Sequence, residues 1–367
     1  MTNLQSLVSY LACFSLMAMS FALAEKAQRY GPGGRTLARF LRAVVVVGFA
    51  VGAGLRQNVG TDYQSYVEAF RESLGGNALE DSINGSFGVE PVFVVLSRLS
   101  DRLTSGPEVM FFVYGLITAA GFCYAVRRLF ADMTVEVGLT IFVLLCMFMP
   151  FTLSAARQGA AMAIFLYGVV EIVHKKAVRG AVYVAIAGVF HPSTFFVAPL
   201  LATAWLMFRK RARSPLVAVF PAAALAGLLG PWVIPLVLRL SIFARFDYML
   251  LYTRDDLVIG GTFTLQALLL VGLTILGWKR IAKEKTLSFL YFLAVFGLAT
   301  YTLSFEVAFA YRVSFFLLPV SCLLGGLVIP RRGRVAYLTG LAAFAMAYFV
   351  AIYYIGGRFS VFPLQFE

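Results

Sequence analysis

Long apolar runs dominate the chain, and short charged clusters punctuate them. A spanning helix needs about 20 apolar residues at about 1.5 Å each. Runs of this kind place spans at 5–24, 40–55, 107–126, 134–153, 156–173, 180–191, 193–208, 215–238, 261–278, 287–304, 307–328 and 335–354. The pattern predicts an all-α, polytopic integral membrane protein with about 12 transmembrane helices, forming a single transmembrane domain over 1–367. Within the polar stretch 56–106, Gly75-Gly76-Asn77 and Asn84-Gly85-Ser86 read as turns. Asp62 to Glu72 and Pro91 to Arg102 read as short amphipathic helices lying at the membrane interface. A second polar stretch, 239–260, holds Arg245, Asp247, Tyr248, Tyr252, Arg254, Asp255 and Asp256.

The charges orient the spans. Six basic clusters stand at Lys26 to Arg42, Arg127-Arg128, Lys175 to Arg179, Arg209 to Arg213, Lys279 to Lys285 and Arg331 to Arg334. The runs between successive clusters are long enough to cross and return, so every cluster fits the cytoplasmic face under the positive-inside rule. Both termini then face outward, and 56–106 and 239–260 become outer loops. Ala22-Leu23-Ala24 has the small-residue form of a cleavage site. The opening residues carry no basic side chain and 25–42 carry five, so 1–24 is expected to remain as the first span.

Composition narrows the class. Of 367 residues, 60% are apolar and 13% charged, about half the charge of a soluble domain, and the mean hydropathy is +0.84. A cytosolic enzyme, a disordered chain, a collagen-like repeat and a disulfide scaffold are all excluded. The net charge of +13 sits in loop clusters, so nucleic acid is not an expected partner, whereas membrane lipids are. The four cysteines lie inside apolar runs without metal-ligand spacing. No metal or cofactor is expected.

The informative charges are those left on the outer side, where every basic residue is arginine. The guanidinium fork matches phosphate oxygens and stays charged. Arg56 ends the second span, Arg157 begins the fifth, and Arg312 lies in the eleventh, ~9 Å along a helix from Glu306. Intramembrane charges are costly and face a cavity or a partner. A polyanion site is the reading favoured for the three together, with pairing to nearby carboxylates or snorkelling to lipid headgroups as the alternative. His191-Pro192 marks a helix break below the outer surface, because the helix from Arg179 is too short to cross. A new helix opening at Pro192-Ser193 would offer free N–H groups to an anion. In Arg56-Gln57-Asn58-Val59-Gly60-Thr61-Asp62-Tyr63, Gly60 allows a turn and brings Asp62 near Arg56. Asp62 either serves chemistry there or caps the helix that follows. Glu90-Pro91 has the form of a second cap, and His174, beside Lys175-Lys176, reads as a loop residue.

These blocks resemble the EpsG family of Wzy-type bacterial membrane proteins. The resemblance lies in Arg56 to Tyr63 with Tyr66, in Glu90-Pro91-Val92-Phe93, in Ala156-Arg157-Gln158-Gly159-Ala160-Ala161, in Gly188 to Ser193, and in Tyr311-Arg312, in that order over about 45–330. It implies polymerisation of glycan repeat units carried on undecaprenyl pyrophosphate, at the outer face of a bacterial inner membrane. The expected partners are a lipid-linked donor and acceptor glycan, with a chain-length regulator as a further candidate. Arg56, Arg157, Gln158, Arg312, Ser193, Tyr63, Arg245 and Arg254 are the expected substrate- and pyrophosphate-binding residues. His191 or Asp62 is the expected base, His191 being slightly favoured for its depth. A transporter of lipid-linked oligosaccharide, a single-transfer glycosyltransferase or ligase, and a membrane acyltransferase are the competing functions.

Overall fold

The computed structural model describes residues 3–84, 88–130, 133–209, 259–302, 310–330 and 333–362. The expected span 215–238, together with Arg245, Arg254 and Glu306, lies outside the described residues. Each of the other expected spans falls on helix: α1 (Asn3–Ala27), α2 (Gly31–Leu55), α6 (Glu108–Leu129), α7 (Thr134–Ser154), α8 (Ala156–Val173), α9 (Ala177–Phe190), α10 (Thr194–Arg209), α11 (Ile259–Ile281), α12 (Lys285–Thr302), α13 (Ala310–Leu317), α14 (Pro319–Leu327) and α15 (Arg334–Phe349). Between α2 and α6 lie three shorter helices, α3 (Tyr63–Ser73), α4 (Ala78–Asn84) and α5 (Pro91–Thr104). Among the described residues, eight helices are long and apolar enough to cross a membrane, and three apolar stretches are shorter. The run 307–328, read as one span, is interrupted where Pro319 opens α14. Proline brings no backbone N–H to the preceding turn.

Packing divides the described residues at Pro192/Ser193 and at Arg334/Val335 into two compact units. The larger unit holds α1 to α9 with α15 and the C-terminal segment. Its centre is α7, buried over 89% of its span against 28% for α1. This is the helix that is hydrophobic all round. Small residues let its neighbours approach: a Cβ on Gly115 of α6 would stand 2.6 Å from the Cβ of Ala53 on α2. Membrane helices associate through this kind of close contact, since lipid gives them no hydrophobic driving force. The smaller unit holds α10 to α14, where Phe208 meets Phe289 and Phe292 edge-on, at 5.7 and 5.8 Å.

The short helices are amphipathic, and their apolar faces cover protein. On α3, Tyr66 and Phe70 are buried four residues apart. On α5 the buried positions Phe93, Val94, Ser97 and Ser100 follow helical spacing. Both faces join Met110, Phe111 and Tyr114 of α6 in one cluster. The intervening α4 fills the stretch between the turns read at Gly75-Gly76-Asn77 and Asn84-Gly85-Ser86.

At the Lys26–Arg42 end of this unit, acids from the spans hold arginines. Glu25 accepts Arg42 at 2.6 Å and Arg127 at 3.3 Å. Glu171 accepts Arg128 at 2.9 Å, and His174 contacts the Arg128 carbonyl at 2.9 Å.

Candidate functional site

The other end of the larger unit carries Arg56 and Arg157. The motif at 56–63 is a tight connection between α2 and α3. Arg56 leaves the helix in extended conformation. Asn58 takes a positive φ of 49° and accepts a hydrogen bond from Gln64 Nε2. Val59 is fully buried. Gly60 has φ +105°, and a Cβ there would lie 2.6 Å from Ser154 Cα, so no other residue fits without strain. The amides of Gly60 and Thr61 reach the carbonyls of Ser360 and Phe359, at 2.9 and 3.1 Å. The Thr61 hydroxyl meets Ser154 Oγ at 2.8 Å. The connection is thereby pinned to α7 and to the C-terminal segment.

Arg56 is 3% exposed. Its Nη1 donates to the Ala53 carbonyl at 2.6 Å, and its guanidinium lies 4.2 Å from the Phe111 ring centroid. Nε and Nη2 meet no acceptor among the described residues, and no carboxylate there pairs with it. A guanidinium stays charged in a protein, so this site holds a fixed cation.

Arg157, at the start of α8, is held differently. Its Nη1 contacts Glu90 Oε2 at 2.6 Å, and its guanidinium lies 5.4 Å from the rings of both Tyr66 and Phe93. Its backbone N–H reaches the Tyr66 hydroxyl at 3.3 Å. Burial pushes that hydroxyl up, and the Arg157 charge partly offsets the effect. Phe111 links the two arginines: Tyr63 stacks on it at 5.4 Å and Tyr66 meets it edge-on at 5.9 Å.

The two capping positions are occupied as read, but neither side chain makes a cap bond. Glu90 occupies the position before α5 and Pro91 the first helical position, but the Glu90 side chain makes no cap bond; it pairs with Arg157 instead. Asp62 precedes α3, also without a side-chain cap bond, and accepts from the Thr61 hydroxyl at 3.3 Å. The helix after the break begins at Thr194, not at Pro192. His191 itself is buried and extended, and its N–H closes α9 onto Ala187 at 3.0 Å.

Arg56, Asp62, Tyr63, Arg157 and the buried Gln158 therefore belong to the larger unit, as does His191. Ser193 and Arg312 belong to the smaller one. Arg312 donates from Nε to the Tyr311 hydroxyl at 3.2 Å, and the Ser193 carbonyl accepts the Phe196 N–H at 3.1 Å. Sequence reasoning missed the role of Glu90 as the partner of Arg157 and the aromatic frame of Phe93, Phe111 and Tyr114. One signal was available: Glu90 is the only acid in the apolar run from Phe87 to Leu96. Such an acid seeks a partner.

Together the spans, the small-residue packing and the buried cations define a class, the polytopic helical membrane protein with an arginine- and aromatic-rich site at one end of its bundle. The sequence profile of the EpsG family matches residues 39–366, and the chain belongs to that family of Wzy-type polysaccharide polymerase-like membrane proteins. Comparison with curated proteins and with solved structures gave no match.

Proposed function

We propose that the protein polymerises glycan repeat units carried on a polyprenyl diphosphate, at the outer face of the bacterial inner membrane. Family membership supports a polymerase-like role in polysaccharide synthesis. The observation that carries the finer reading is Arg56, a buried guanidinium with two donor atoms unmatched and no carboxylate partner among the described residues. A buried charge of this kind is costly unless an anion completes it.

In the proposed step an acceptor hydroxyl oxygen forms a bond to the donor C1. The C1–O bond to the diphosphate breaks, and its electron pair leaves with the phosphate oxygen. Arg56 stabilises the charge that grows there, an effect larger in the transition state than in the ground state. Arg157, already neutralised by Glu90, orients the aromatic frame and offers its remaining N–H groups to the same anion. The hydroxyl proton passes to His191 or Asp62.

The test is purified protein supplied with lipid-linked repeat units. A ladder of products supports polymerisation. A single addition assigns the chain to the ligases, and movement of the lipid-linked glycan without bond formation assigns it to the transporters.

A further inference from the structure

Between α1 and α2, in the half of that hairpin away from the Glu25–Arg42 clasp, runs an apolar groove of about 310 Å³. Its walls carry rows of small residues. Ser9, Cys13 and Ser20 line it from α1, and Gly48 and Gly52 from α2. A Cβ added at Gly48 or Gly52 would meet nothing within 4 Å. Arg56 continues the same α2 row, four residues on from Gly52, and lines one end of the groove with Tyr10. From Ser9 to Ser20 is ~16 Å of helix, about half of a ~30 Å hydrocarbon core. The groove is thus about one leaflet long and ends on a buried cation that no carboxylate among the described residues neutralises.

We infer that this groove seats the isoprenoid chain of a polyprenyl diphosphate, with its diphosphate held at Arg56. The inference rests on the proposed lipid-linked substrate. A hydrocarbon satisfies the apolar walls, and a terminal anion satisfies the two open donors of Arg56. A second membrane helix seated on the glycine row would satisfy only the walls. A two-chain phospholipid would leave one tail outside.

The test is binding of undecaprenyl diphosphate to the full chain in nanodiscs, read by native mass spectrometry, with geranyl diphosphate and phosphatidylglycerol as comparison ligands. Gly52→Phe fills open space and is expected to weaken undecaprenyl diphosphate about tenfold, and geranyl diphosphate much less. Val51→Phe, on an exposed position off the groove, leaves binding unchanged. Unaltered undecaprenyl diphosphate binding in Gly52→Phe overturns the inference. So does equal competition by phosphatidylglycerol, or a change of oligomeric state in Gly52→Phe, which would mark the groove as a helix-docking face. Groove-dependent binding by a protein that builds no product ladder from glycan-loaded donor leaves the groove standing and removes the polymerase reading.

Discussion

The two ends of the larger unit treat buried arginine in opposite ways. At the Glu25 end, one carboxylate holds both Arg42 and Arg127, and Glu171 holds Arg128. At the Arg56 end, Glu90 answers Arg157, but no carboxylate among the described residues answers Arg56, and two of its donors stay open there. Both ends belong to one bundle, so burial alone does not separate them. Paired charges fasten helices that lipid cannot drive together, and losing one partner is severely destabilising. A buried cation without a counterion contributes no such fastening. It has meaning only towards something that arrives.

Substitutions sharpen that contrast, and the largest effect is expected at the clasp. Glu25→Gln leaves Arg42 and Arg127 facing each other and should cost about 3–5 kcal/mol, seen as a lower midpoint of thermal unfolding in detergent. Gly60→Ala forces an L side chain into positive φ and against Ser154, at more than about 2 kcal/mol. Because Gly60 anchors the motif, product formation should fall with stability. Glu90→Gln should cost less, about 2 kcal/mol, because water reaches this pair more readily than the Glu25 clasp. Its sharper effect is on substrate: an unneutralised Arg157 should tighten binding of an inorganic diphosphate competitor. An equal loss of stability in Glu25→Gln and Glu90→Gln, with no change in diphosphate binding, would erase the distinction between the two ends.

Much of this architecture can be read from the chain. Apolar runs bounded by arginine and lysine clusters locate the spans, because a bilayer demands continuous apolar helix. Phe93, Ser97 and Ser100 announce a one-sided helix in α5, and His191-Pro192 announces a break. The pairings are not legible in this way. Glu90 and Arg157 are 67 residues apart, and either could as well have met solvent. Glu25 looks like one more loop charge until α2 and α6 fold against α1. The interruption at Pro319 is hidden because the sequence stays apolar through it. That Arg56 ends a span was readable; that no acid among the described residues comes to it was not, since this depends on where each carboxylate goes.

The central claim is that Arg56 is kept at the expense of stability for the sake of an anion. The most direct measurement is Arg56→Met, assayed together for thermal unfolding and for product formation from lipid-linked repeat units. Removing two unmatched buried donors should raise stability by about 1 kcal/mol, while loss of a charge stabiliser should lower turnover about 10²–10³-fold. A variant that is less stable than the parent yet still builds polymer at the parental rate would contradict the account.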